Sequence, residues 1–171
     1  MKKQLVASLA ISALMAFPAM ALAAVTNGSF ENGTVPGVFT TLNAVNNTDI
    51  ADWSVDTGSV DYIGTYWTAS EGARSIDMNG NETASISQTF TSVVGATYDV
   101  SFDLSGNPDS GPSLKVLRVS ATGAVPQDFN YDTGVKGNDK SNMKWEGNTY
   151  SFVATGISTT LTFASQIAGA F

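Results

Sequence analysis

The sequence predicts an all-β protein, an antiparallel β-sandwich of jelly-roll type. Three observations carry that expectation. Apolar residues recur at every second position in several short runs, most clearly Tyr98, Val100, Phe102 and Leu104. Turn-forming clusters separate the runs: Asn27-Gly28, Asn32-Gly33 and the stretch GNPDSGP from Gly106 to Pro112. No segment after residue 24 shows the 3.6-residue apolar period with caps that a helix needs.

The chain opens Met1-Lys2-Lys3 and then runs apolar from Leu5 to Ala23, closing on Ala21-Leu22-Ala23. A positive start, a short apolar core and a small-x-small ending describe a secretory signal peptide over residues 1–23. Cleavage after Ala23 leaves Ala24 to Phe171, the length of a single domain. Val25 and Phe30 suggest a first strand ending at Phe30-Glu31, followed by a loop; from Phe39 to Asn47 the signal is weak. Ala51, Trp53 and Val55 alternate with polar neighbours and read as a strand, with Trp53 in the core. Val60-Asp61-Tyr62-Ile63-Gly64 follows as a strand, with Val60 and Tyr62 on one face and Asp61 and Ile63 on the other. The loop GTYWTASEG leads into a returning strand, where Ser75 and Asp77 oppose Ile76 and Met78. Thr83 to Phe90 places Ala84, Ile86, Gln88 and Phe90 on one face. Tyr98 to Leu104, Ser113 to Ala121, a short segment at Phe129 and Tyr131, Thr149 to Ala154 and Thr159 to Ala164 complete a set of about ten strands. Gly134 to Ser141 is polar and expected to be exposed.

Composition excludes several classes of function. With no Cys there are no disulfides and no lipid-modified Cys at the cleavage site. With neither His nor Cys, the Ser-His-Asp and Cys-His routes are closed, and so is a His/Cys zinc site. Net charge is −7, and Lys2 and Lys3 are two of only eight basic residues against 15 acids. Nucleic acid needs a basic surface, so it is discounted as a partner. No second apolar run is long enough to serve as a transmembrane segment. The acid surplus does permit calcium, which takes oxygen ligands.

The stretch from Ser59 to Gly80 is the candidate site. Adjacent Tyr66 and Trp67 on a loop between two strands could stack against the C–H face of a sugar ring. Tyr62 would join them, with Asp61, Asn79 and Asn107 as polar partners. The bland alternative, that Tyr66 or Trp67 fills the core, is left open. Trp145 beside a polar loop reads either way. Asp61, Glu71, Asp77 and Asp103 are the carboxylates best suited to acid–base work, but a glycosidase needs a pair roughly 5–9.5 Å apart and sequence gives no separation. Arg74 is expected to pair with Glu71 or Asp77.

Five segments occur in a telling order: Asn27-Gly28-Ser29-Phe30-Glu31; Val60 to Gly64 with Tyr66-Trp67; Ser75-Ile76-Asp77-Met78-Asn79-Gly80; Ile86-Ser87-Gln88-Thr89-Phe90; and Gly106-Asn107-Pro108. In these the chain resembles the choice-of-anchor C family of bacterial exported proteins, which is similar to the plant cell-wall proteins of domain of unknown function 642. The resemblance implies a galactose-binding-like jelly roll at the cell surface or in an extracellular polysaccharide matrix, without enzymatic activity. In carbohydrate-binding modules with a similar opening, a Glu at the place of Glu31 joins an Asp of the final strand around a structural calcium ion. Members usually continue past a segment like Ala168 to Phe171 into that final strand. The expectation is therefore a chain truncated at its C-terminus, with an edge or slot left open and the Ca2+ site at Glu31 incomplete. The functional expectation is a secreted, non-enzymatic module that binds a polysaccharide or cell-wall glycan. A structural surface protein acting through protein–protein contacts and a glycoside-active enzyme are the alternatives.

Overall fold

A computed structural model describes residues 25–46, 48–109 and 111–168; the signal peptide expected over residues 1–23 lies outside them. Ten strands and one helical turn follow in chain order: β1 (Phe39–Asn43), β2 (Ser54–Thr57), β3 (Ser59–Ile63), β4 (Ser75–Asp77), β5 (Ser85–Thr91), β6 (Thr97–Leu104), β7 (Leu114–Ala121), β8 (Gln127–Asp132), α1 (Thr133–Lys136), β9 (Glu146–Val153) and β10 (Ser158–Ser165). Every strand pairing is antiparallel. One layer is a five-stranded sheet in the order β2-β5-β10-β7-β8. Facing it are a three-stranded sheet, β1-β3-β4, and a two-stranded sheet, β6-β9.

The core lies between the layers, because each strand turns alternate apolar side chains inward. Tyr98, Tyr150 and Phe152 of the two-stranded sheet pack on Leu117, Val119, Phe129 and Leu161. Leu42, Val60 and Tyr62 of the three-stranded sheet pack on Val55 and Ile86, with Trp53 beside them. Phe163 on central strand β10 and Met78 after β4 touch both clusters and join them. Ring contacts tie the halves together: Phe102 meets Phe163 edge-on at 5.4 Å, and Trp53 lies 6.1 Å from Phe163.

The first expected strand does not form. Phe30 has a φ of 62°, so the chain turns there, and among the described residues the segment's one β-bridge runs from Gly33 to Ile50. The strand forms instead at Phe39–Asn43, where the signal is weak, because register with β3 buries Leu42 opposite Val60. The expected exposed loop after residue 133 contains a helical turn. The Asp132 carboxylate accepts the Gly134 and Val135 N–H groups, and Gly137 closes the turn in the left-handed region at φ 58°.

Candidate functional site: a loop platform and the cleft beside it

Three loops meet at one end of the sandwich: residues 64–74 between β3 and β4, 105–113 between β6 and β7, and 137–145 before β9. A third apolar cluster, Ile63, Trp67 and Met143 with Tyr66 and Trp145 against it, packs the first and third of them together. Hydrogen bonds interlock them. Thr68 N–H donates to the Lys140 carbonyl at 3.1 Å, and the Trp145 indole N–H donates to the Thr68 carbonyl at 3.0 Å. Ser105 Oγ donates to the Met143 carbonyl at 2.5 Å, and Ser70 Oγ donates to the Asp103 carboxylate. Tyr66 Oη donates to Asp109 Oδ2 at 2.6 Å. Lys140 Nζ lies 3.0 Å from that carboxylate and 4.0 Å from the Tyr66 ring centroid, a cation–π arrangement. Burial alone would raise the Asp109 pKa; the Tyr66 hydroxyl and the Lys140 ammonium outweigh it and hold the carboxyl below its ordinary value.

The sequence-selected residues separate into groups. Trp67 is buried at 7 % exposure, its indole N–H donating to Ser75 Oγ at 2.8 Å, so it supports the platform from beneath. Tyr66 is half-buried, with Lys140 over its ring and Phe39 edge-on at 5.3 Å. Tyr62 corrects the expectation: it is fully buried, and its hydroxyl donates to the Phe30 carbonyl at 2.6 Å while accepting from Arg74 Nη1. A ring inside the core has no face to offer a ligand. Arg74 accordingly binds Tyr62 and the Thr34 carbonyl, with neither Glu71 nor Asp77 as an ion-pair partner. Asp61 accepts from Thr41 Oγ1 at 2.5 Å on the β1 side of the sheet.

Beside the platform, between β4 and β6, runs a cleft of about 930 Å³. Trp67, Trp145, Asn79 and Asn107 line it; Asp61, Tyr62 and Tyr66 do not. Its platform end is polar. Asn107 Nδ2 donates to Asp77 Oδ2 at 2.8 Å, and Asn107 Oδ1 accepts the Asp109 N–H at 2.9 Å. Lys115 reaches the same wall. Burial raises the Asp77 pKa and nearby Asp61 adds to that, while Asn79 N–H, the Asn107 amide and Lys115 oppose it. Burial likewise lowers the Lys115 pKa, with Asp77 pulling the other way. Asn79 is buried at 5 % exposure and donates to the Ile167 carbonyl at 2.9 Å, so it braces the chain end of β10.

Glu31 Oε1 accepts the backbone N–H groups of Ala73 and Arg74 at 2.8 and 2.9 Å. Calcium needs six to eight oxygens. Among the described residues no group of three or more acidic side chains could hold an ion. The Glu31 carboxylate anchors the loop before β4 through those two N–H groups.

A family model described as "Protein of unknown function (DUF642)" matches residues 23–169. This chain belongs to that family. The DUF642 chain is also 30 % identical over 151 residues to Halomucin of Haloquadratum walsbyi, covering 81 % of this chain but spanning only 2 % of that relative's length. Among solved structures, it is similar to a CBM35 from Paenibacillus barcinonensis: TM-score 0.48, 14 % identity, 77 % of this chain and 91 % of that one. A family 35 carbohydrate binding module from an environmental isolate matches with TM-score 0.44 and 16 % identity, over 83 % of this chain and 84 % of that one. No helix among the described residues of the DUF642 chain is long and apolar enough to cross a membrane.

Lys140 and Asp109 escaped the sequence reading. They lie 31 residues apart in polar loops, and nothing local shows that folding brings them to one tyrosine. Trp145 was readable as a candidate, and the structure brings it into the cleft lining with its indole N–H held by Thr68.

Proposed function

We propose that this chain is a secreted, non-enzymatic module that binds polysaccharide outside the cell, as its resemblance to choice-of-anchor C proteins implies. The signal-peptide pattern over residues 1–23 supports export. One observation carries the binding reading. The half-buried ring of Trp145 lines the cleft, and so do Asn107, Asp77 and Ser70. A cleft that carries an aromatic ring together with short amide, carboxylate and hydroxyl groups suits a pyranose, which is apolar on its C–H faces and polar at its edge. The loops are interlocked before any ligand arrives, which lowers the ordering cost of binding.

Catalysis is the second reading, because Glu71, Asp77, Asp99 and Asp103 all line the cleft. Asp61 and Asp77 are register partners across β3 and β4, yet Asp61 lies outside the cleft that Asp77 lines. Asp103 is held by Ser70. A glycosidase needs two carboxyls facing one space at a set separation, and turnover of a retained glycan would overturn the non-enzymatic reading.

The test is retention on a panel of insoluble cell-wall glycans, followed by calorimetry on any that retain the protein. Trp145→Ala should weaken binding by about two- to tenfold, given the ~0.5–1.5 kcal/mol that an aromatic contact contributes, with an unchanged circular dichroism spectrum. Retention of no glycan by the folded protein, or equal binding by the variant, overturns the reading.

A further inference from the structure

Asparagine before glycine is the dipeptide whose side-chain amide the next backbone nitrogen reaches with least hindrance, because glycine carries no Cβ beside that nitrogen. The chain holds three such pairs: Asn27-Gly28, Asn32-Gly33 and Asn79-Gly80. Folding guards two of them. The Asn27 amide is held at both atoms: Nδ2 donates to the Asn32 and Ala51 carbonyls at 2.9 and 2.7 Å, and Oδ1 accepts the Asn32 N–H at 2.9 Å. Asn79 is buried, its Nδ2 donates to the Ile167 carbonyl, and the Gly80 N–H donates to the Ser59 carbonyl at 2.8 Å. Asn32 differs on each count. It is exposed, and among the described residues its side-chain amide takes part in no hydrogen bond. The bonds that flank the Gly33–Ile50 bridge run from the Thr34 N–H to the Asp49 carbonyl and from the Ala51 N–H to the Asn32 carbonyl, so neither uses the Gly33 N–H. The fold also keeps position 33 a glycine: a Cβ there would lie 2.2 Å from the Asp49 carbonyl oxygen and 2.9 Å from Tyr62 Oη. Neither Asn32 nor Gly33 lines the cleft.

We infer that Asn32-Gly33 is a self-modification site, at which the folded chain converts asparagine to aspartate and isoaspartate with water as the co-reactant. The Gly33 nitrogen attacks Asn32 Cγ. A C–N bond forms between them, the Cγ–Nδ2 bond breaks, and the Gly33 proton leaves with the amide nitrogen as ammonia. Water then opens the cyclic imide at either of its carbonyls. One opening leaves an ordinary aspartate at position 32, and the other an isoaspartate, whose main chain is one carbon longer. Both products add a negative charge next to Glu31 in the chain. The longer backbone finds no room where Gly33 passes the Asp49 carbonyl. The Gly33–Ile50 bridge therefore opens in that product, and the Thr34 carbonyl is drawn away from Arg74 Nη1, whose hydrogen bond it accepts at 3.1 Å.

The test incubates the whole chain in warm, mildly alkaline buffer, beside a second sample unfolded in urea. All three pairs are followed by peptide mapping with electron-transfer fragmentation, which separates isoaspartate from aspartate. In the folded protein Asn32 should convert at least about tenfold faster than Asn27 or Asn79, whose amides must first give up their hydrogen bonds. In urea the three should convert at similar rates, since they share one dipeptide. No conversion of Asn32 in the folded protein, or conversion of Asn27 or Asn79 as fast, overturns the inference. So does a lead for Asn32 that persists undiminished in urea, because the selection would then come from sequence and not from the fold. Amide hydrogen exchange supplies a second readout. Molecules carrying isoaspartate should exchange the Thr34 and Ala51 amides at least about tenfold faster than fresh protein. Unchanged protection of both would overturn the opening of the bridge. Because the native chain is used throughout, no variant has to fold.

Discussion

The Glu31 carboxylate, Ala73, Arg74 and Tyr62 form one chain of contacts from a surface turn to the core. Glu31 holds two backbone N–H groups, and the arginine they position donates to a buried phenol. Gly72 between them is in the left-handed region at φ 65°, and a Cβ there would lie 2.4 Å from Glu31 Oε1. Glu31→Ala leaves two N–H groups without their acceptor and should lower stability by about 1–3 kcal/mol, read as a shift in the urea midpoint at unchanged slope. Trp67→Ala should cost about 3–5 kcal/mol, because it empties the cluster under the platform and releases Ser75. Trp145→Ala, half-exposed, should cost far less stability than Trp67→Ala while weakening binding. Comparing the two variants separates support from contact. Asp77 gives a pH signature. Its folded pKa is raised, chiefly by burial. In the window from 3.8 up to that raised value the folded state binds more protons than the unfolded one. Stability should therefore fall as pH rises through the window, and Asp77→Asn should flatten that part of the thermal-stability profile. The site was legible in the sequence as a neighbourhood. Alternation told that Tyr62 shares a face with Val60, but in a strand buried on nearly every residue it could not tell that the face is core.

At the level of elements, the strands with unbroken alternation were legible and those fixed by partners were not. Tyr98 to Leu104 forms β6 with the expected residues inward, because a period of two is set by the chain itself. β1 has one buried residue in five and owes its existence to register with β3. The helical turn after Asp132 is too short for a period to show. Turns are where single residues decide an element. Gly58 joins β2 to β3 at φ 61°, and a Cβ there would lie 2.0 Å from the Thr83 carbonyl oxygen. Gly58→Ala should destabilise by about 2–3 kcal/mol, whereas Gly37→Ala, also at positive φ but in open space, should cost about 1 kcal/mol. Equal thermal shifts for the two would show that backbone strain alone, and not the close approach of the β5 lead-in, sets the cost.

For the whole molecule, the divided layer implies two levels of stability within one fold. β10 is paired on both sides, over seven residues with β5 and five with β7, and its apolar residues sit over both clusters. Opening its amides requires separating β5 or β7, which dismantles the core. β6 and β9 hold each other over eight register pairs but are joined to the rest through side chains and loops. That pair can lift from Leu117, Phe129 and Leu161 without breaking any ladder of the five-stranded sheet. The lifting exposes Tyr98, Tyr150 and Phe152, each side chain costing roughly 1.5–3 kcal/mol to uncover. A sub-global opening of that kind lies below global unfolding in free energy. Native-state hydrogen exchange should then resolve two classes. Amides of β10 should exchange at the rate set by global unfolding and follow the full denaturant dependence. Amides of β6 and β9 should exchange at least tenfold faster with a shallower dependence, since less surface is exposed when they open. A single class, with β6 as slow as β10, would mean that the two-stranded sheet is bound to the sandwich as firmly as any paired strand and that the division of the layer has no energetic consequence.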